Sequence, residues 1–186
     1  EVHAFGLGGR RLQDVRTAMH RAEREGLRAV RGSWADLGAA IAAQVVDLGE
    51  AWVADKPLPE LGFTLGGVDE AKDPDVRLVV AVSSGERVEA VTSWLPRFDP
   101  GGRSGWTLDL MRRRRDAVPG SVEFAIVTAV ETARAEGLRE ISLSGAPLAT
   151  RDDGDGGVAG ILARRIEPVY GFRSLLRFKA KFQPEF

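Results

Sequence analysis

Apolar positions return at helical spacing as soon as the chain leaves its glycine-rich start. Leu12, Val15, Met19 and Ala22 predict a helix over about Arg10 to Glu25, and Gly26 is a natural stop. A broad stripe of Leu37, Ala40, Ile41, Val45, Leu48 and Trp52 predicts a second helix from about Trp34 to Asp55. Ser33 is its N-cap, Asp36 sits in its first turn, and Pro57 and Pro59 end it. Leu61 to Gly67 is too glycine-rich to assign. The period then changes. Leu78 to Val82 reads as a buried strand, Ser83-Ser84-Gly85-Glu86 as a turn, and Val88 to Leu95 as the returning arm of a hairpin that Pro96 ends. A loop over Asp99 to Gly105 leads to a third strand, Trp106 to Met111. Ser121 to Glu136 is apolar around most of its circumference, which predicts a largely buried helix. Glu140 to Ser144 reads as a fourth strand, and the acidic, glycine-rich stretch Thr150 to Gly160 as a loop. A short helix over Ile161 to Tyr170 and a final one over Phe172 to Phe182 close the chain.

A strand, a crossover helix and a second strand, placed after a hairpin, predict a parallel pair beside an antiparallel one. The expected class is α/β (an α+β mixed sheet) with helices on both faces.

Composition narrows the function classes. A chain of 186 residues suits one domain, or one and a half small ones. The absence of cysteine removes disulfide frameworks, thiol nucleophiles and thiolate zinc sites together. With only His3 and His20, a multi-histidine metal site is not expected. Twenty-six basic residues against twenty-seven acidic ones exclude a globally basic nucleic-acid binder, though not a local basic face. No apolar run approaches the ~20 residues needed to span a bilayer. The opening Glu1-Val2-His3 lacks a signal peptide's apolar core, so a cytoplasmic, reducing compartment is expected.

Three places carry candidate chemistry. Asp109 lies inside an otherwise apolar strand, where a carboxylate costs several kcal/mol unless it is paired or used. Strict alternation points Leu108, Leu110 and Arg112 one way and Thr107, Asp109 and Met111 the other. Second, Arg112 to Arg115 precede the N-terminus of the buried helix, where exposed N–H groups and the helix dipole attract anions. A solvated turn is the plain alternative. Third, on the closing helix Phe172, Leu175, Leu176 and Phe182 share a face, with Arg173, Arg177 and Lys181 along its flank. Lys179 falls in the middle of the apolar face, so it must reach outward or find an anionic partner. Between Arg164 and Lys181 the basic side chains face a single acid, Glu167, a local cationic patch suited to tRNA or lipid headgroups.

There is no Gly-x-Ser-x-Gly, no Walker loop and no dinucleotide fingerprint. The order of elements resembles the acyltransferase fold of the GNAT superfamily. Its usual pyrophosphate signature is not evident before Ser121, where Pro119-Gly120-Ser121 stands instead. That argues against an ordinary acetyl-CoA enzyme.

The ordered set of motifs is more specific: Phe63-Thr64-Leu65-Gly66, Leu108-Asp109-Leu110-Met111-Arg112, Pro119-Gly120 with Glu123-Phe124, Ser144-Gly145-Ala146-Pro147-Leu148, Tyr170-Gly171-Phe172, and Phe178-Lys179-Ala180-Lys181-Phe182-Gln183-Pro184-Glu185. It resembles the C-terminal catalytic domain of the phosphatidylglycerol lysyltransferases, also called aminoacyl-phosphatidylglycerol synthases or multiple peptide resistance factors. The resemblance covers nearly the whole chain. It implies the second half of a tandem GNAT-like domain, with residues 1–32 a lead-in helix from the preceding half and residues 33–186 the GNAT-like catalytic domain. The family's polytopic membrane domain is not in this sequence, and relatives run slightly past Phe186. Either a fragment or a reduced relative is implied, cytoplasmic and held at the inner face of the membrane through a domain outside it.

The implied reaction moves an aminoacyl group, lysyl first, from aminoacyl-tRNA to a hydroxyl of phosphatidylglycerol, with no cofactor and no metal. By resemblance Asp109 orients or deprotonates the acceptor and Arg112 clamps a phosphate or oxyanion, while Lys179 matches a family lysine. Glu123 is a candidate for holding an α-ammonium group, and Ser144, Arg177 and Lys181 for substrate binding. Two other readings stay open: transfer from aminoacyl-tRNA to a soluble small molecule, and a non-catalytic module that binds tRNA or anionic membrane.

Overall fold

A computed structural model describes residues 1–54, 67–145 and 172–185. The expected loop at Thr150 to Gly160, the short helix at Ile161 to Tyr170 and the stretch 61–66 lie outside the described residues. The elements in order are α1 (Gln13–Arg24), β1 (Arg28–Gly32), α2 (Ala39–Ala54), β2 (Arg77–Val82), β3 (Val88–Asp99), β4 (Gly102–Arg113), α3 (Ser121–Ala135), β5 (Glu140–Ser142) and α4 (Phe172–Ala180). The strands form one sheet in the order β1-β2-β3-β4-β5. Neighbours run antiparallel except β4 and β5, which are parallel and joined through α3.

The pleat sorts side chains onto two cores. Leu78, Val80 and Val82 of β2 pack with Leu37, Val45 and Leu48 on the α2 face. Val79 and Ala81 pack with Val15, Met19 and Ala22 of α1 and with the apolar face of α3 on the other. A strand buried on both faces reads as a continuous apolar run, which is how β2 reads. The mixed α/β sheet with helices on both faces is the class expected.

Four details differ from the sequence expectation. β1 was not expected. It is a five-residue edge strand carrying Arg28 and Arg31, so it has no apolar period to read. Pro96 does not end β3, which runs on to Asp99 and turns directly into β4 at Gly102; the expected loop is the tip of this hairpin. β2 pairs with β3 only as far as Trp94, so beyond it β3 has β4 on one side alone and tolerates a residue without an N–H. The second helix starts later than Trp34. Ser33 caps a short 3-10 turn over Trp34–Asp36, with the Asp36 carboxylate accepting from the Ser33 N–H at 2.7 Å and its hydroxyl at 2.8 Å. Gly38, at φ +73°, separates that turn from α2. Finally, β5 stops at Ser142 rather than Ser144, and Ser144 itself has φ +60°.

Gly120 fixes how α1 meets α3. It precedes α3 at φ +95°, and a Cβ there would lie 2.6 Å from the Ala18 carbonyl oxygen of α1. Only glycine allows both that conformation and that approach.

Candidate active site

The first half of the candidate site is made by a bulge. Thr92 pairs with Met111 and Trp94 with Leu108, so Ser93 alone opposes both Asp109 and Leu110. Two residues against one shift the alternation of everything after them. Trp106 and Leu108 belong to the α1/α3 core, but Leu110 belongs to the α2 core. Arg112 follows Leu110, and its guanidinium stacks 3.4 Å from the centre of the Trp52 ring on α2. Strict alternation, which set Asp109 opposite Arg112, is therefore corrected. The bulge brings both onto the α2 face.

Ser93 holds the bulge together. Its hydroxyl oxygen accepts the Leu110 N–H at 3.0 Å, and its O–H donates to Asp109 Oδ2 at 3.5 Å. Burial pushes the half-buried Asp109 carboxyl above its ordinary value, and nearby Glu70 pushes the same way. The Ser93 hydrogen bond and the Arg112 charge pull it back only in part. The result is a carboxylate more basic than a surface aspartate, beside a guanidinium only 5 % exposed.

The second half lies across the β4/β5 boundary. The parallel ladder pairs Gly105 with Glu140, Trp106 with Ile141 and Thr107 with Ser142, then stops. Two more steps of that register would set Ser144 opposite Asp109. The pairing ends before that point. The ammonium of Lys179 on α4 donates to the carbonyl oxygens of Gly145 at 2.9 Å and Ser144 at 3.5 Å. Lys179 is 7 % exposed, so it neither reaches outward nor, among the described residues, meets a carboxylate. Burial pulls its pKa from 10.5 down to about 8. A cavity of about 990 Å³ opens beside it, bounded by the end of β5, α4, part of α3 and the N-terminal segment. Ser144 and Lys179 line it; Asp109 and Arg112 do not.

The remaining candidates divide. Glu123, in the first turn of α3, already holds an ammonium, that of Lys181 at 3.2 Å. Lys181 also sits 5.0 Å from the centre of the Phe178 ring. Arg177 is exposed on α4. In the turn before α3 the chain already supplies an anion of its own. Glu89, only 2 % exposed in a bulge of β3, has its own carboxylate accepting the Val118 N–H at 3.1 Å. Arg114 donates to the Val88 carbonyl at 2.7 Å, and Arg87 pairs with Asp116. Among the described residues no cluster of ligating side chains suits a metal, and no helix is long and apolar enough to cross a membrane.

Sequence reading passed over Ser93, Trp52 as a stacking partner, Glu70 and Glu89. Two of them carried a signal: Ser93 and Glu89 are polar residues within the buried run Val88 to Trp94.

Comparison with known proteins adds to this geometry. Residues 1–186 match the family described as phosphatidylglycerol lysyltransferase, C-terminal. An uncharacterised protein of Corynebacterium glutamicum is 47% identical over 182 residues, covering 95% of this chain and 23% of its own length. The lysylphosphatidylglycerol biosynthesis bifunctional protein LysX of Rhodococcus jostii is 29% identical over 189 residues, covering 97% of this chain and 17% of its own. The crystal structure of a C-terminal domain from Agrobacterium fabrum, described as that of a lysylphosphatidylglycerol synthetase, superposes with a TM-score of 0.75 at 25% identity. It is covered over 55% of its length by all of this chain. The chain thus spans less than a quarter of those two sequence relatives.

Proposed function

The chain belongs to the phosphatidylglycerol lysyltransferase C-terminal family, a family of transferases, and from that membership we propose that it takes part in moving a lysyl group from lysyl-tRNA to a hydroxyl of phosphatidylglycerol. The observation that carries the reading is the bulge at Ser93, which turns Asp109 and Arg112 to the same face of the sheet. The acceptor oxygen attacks the ester carbonyl carbon and its proton passes to Asp109. Arg112, held flat against Trp52, faces the negative charge that develops on the carbonyl oxygen. The bond to the tRNA ribose oxygen then breaks, and that oxygen takes the proton from Asp109. A base that is too acidic would hold no proton in the transition state, so the upward push on Asp109 suits this role.

Arg177, exposed on α4, suits contact with tRNA phosphates or an anionic membrane. Ser144 offers a hydroxyl at the wall of the cavity. Glu123 can receive a substrate ammonium only if Lys181 is displaced. The division into a lead-in (1–32) and a catalytic unit (33–186) belongs to the same proposal, although α1 shares its core with α3 and β1 its sheet with β2. Attachment to the membrane is assigned to parts of the protein outside this chain.

The test is incubation of the protein with lysyl-tRNA labelled in the lysyl group and phosphatidylglycerol vesicles. Label extracted with the lipid is the expected result. Label transferred only to soluble glycerophosphoglycerol would favour a soluble acceptor, and tRNA binding with no transfer would favour a binding module.

A further inference from the structure

Arg112 is a cation standing where α2 presents an apolar stripe. Val45, Leu48 and Trp52 follow one another at helical spacing on α2, so they share one face. Val45 and Leu48 enter the core that holds Leu110 of β4. Trp52, a turn further along the helix, meets Arg112, the next residue but one along the strand. Packing alone would favour an apolar side chain there, because a guanidinium 5 % exposed has given up most of its water. Its central carbon lies 3.4 Å from the centre of the Trp52 ring. At that distance the two planes lie nearly parallel, since a tilted guanidinium would drive a nitrogen into the ring. A guanidinium carries its N–H donors in its plane and none on its faces. Stacking on Trp52 therefore fixes the plane and uses none of the donors, whereas a carboxylate at the same place would take two of them.

The end of α2 is itself packed in place. Gly49, one turn before Trp52, lets the side chain of Val68 come directly against the helix, where a Cβ would collide with it. We infer that Trp52 is a positioning residue for the transfer: it sets the plane of the Arg112 guanidinium, so that the N–H edge meets the carbonyl oxygen as negative charge develops there. This rests on the lysyl transfer proposed above and adds to it a group that need touch no substrate. Trp52 acts through Arg112, so it serves the chemical step rather than the binding of either substrate. Another aromatic ring can do the same work. An aliphatic chain, with neither a flat face nor a negative one, cannot.

The test is labelled lysyl transfer from lysyl-tRNA to phosphatidylglycerol vesicles by wild type, Trp52→Leu, Trp52→Phe, Arg112→Ala and the double variant of Trp52→Leu with Arg112→Ala, with melting temperatures taken on the same samples. Trp52→Leu should lower kcat about tenfold or more while KM for lysyl-tRNA stays within about threefold. Trp52→Phe should come back to within about threefold of the wild-type rate. In the Arg112→Ala background Trp52→Leu should cost less than about twofold, because no guanidinium is left to position. A second measurement needs no activity. Protons above an aromatic face are shielded, so the Arg112 Nε–H resonance, identified by its loss in Arg112→Ala, should lie upfield of those of exposed arginines in the wild type. An ordinary position for that resonance would overturn the inference even if Trp52→Leu fails to fold. So would transfer by folded Trp52→Leu within twofold of wild type, a loss confined to KM, or an equal loss with Arg112 present and absent. Any of these beside active wild type would leave the proposed function standing and this inference fallen. No lysyl transfer by the wild type would remove both.

Discussion

At the residue scale, the half-buried Asp109 and the buried Lys179 are held away from their ordinary protonation behaviour, and each makes a prediction. Folding raises the pKa of Asp109, so the fold carries a penalty for its charge. That penalty is absent below the unfolded value near 3.8 and present in full above the folded one. Asp109→Asn should therefore raise the melting temperature at pH 7, and the gain should fade as pH falls toward 4. The same variant should lose roughly 100-fold or more in lysyl transfer if the carboxylate is the proton acceptor. A variant that is both less stable and less active would mean that the carboxylate is structural. Lys179 gives the opposite pH window. Between about 8 and 10.5 the unfolded lysine holds its proton and the folded one has lost it, so stability rises with pH across that range. Urea midpoints measured from pH 7 to 10.5 should climb for the wild type, and the climb should be smaller in Lys179→Met. By contrast Lys181, 37% exposed in its pair with Glu123, should cost under about 1 kcal/mol when replaced by alanine.

At the element scale, the site depends on how β4 is seated between its neighbours. Ser93→Ala leaves the Leu110 N–H without its acceptor, a cost of about 1–3 kcal/mol by denaturant unfolding. It also removes the hydrogen bond that lowers the Asp109 pKa, so the acid limb of the pH–rate profile should move to higher pH. A purely structural role for Ser93 would change stability and leave the profile in place. On the other edge, a Cβ at Gly105 would run into the backbone carbonyl of Glu140, which cannot give way while the parallel ladder holds. Gly105→Ala should destabilise by about 1–3 kcal/mol and loosen β5 before the rest of the sheet, which amide exchange would detect. These elements also show where sequence reading stops. β2, α3 and the hairpin were legible because their burial imposes a strong apolar pattern. β1 was not, because an edge strand bearing arginines has none. The bulge was not, because an inserted residue leaves no period; Asp109 and Arg112 were found as residue types, but their common face belongs to the backbone.

At the scale of the whole molecule, the candidate residues fall on two sides of the sheet. Asp109 and Arg112 look toward α2, while Lys179, Ser144 and the cavity lie toward α4. The mixed α/β fold and the family were readable from ordered motifs spread along the chain. The contact of Glu89 with the Val118 N–H in the turn before α3 was not, because it joins residues 29 positions apart. The measurement that tests the account most directly is the rate of labelled lysyl transfer from lysyl-tRNA to phosphatidylglycerol vesicles, compared among wild type, Asp109→Asn and Arg112→Ala with melting temperatures taken on the same samples. The account predicts lipid-extractable label for the wild type and a fall of about 100-fold or more in both folded variants. Transfer within twofold of wild type in either one would contradict it.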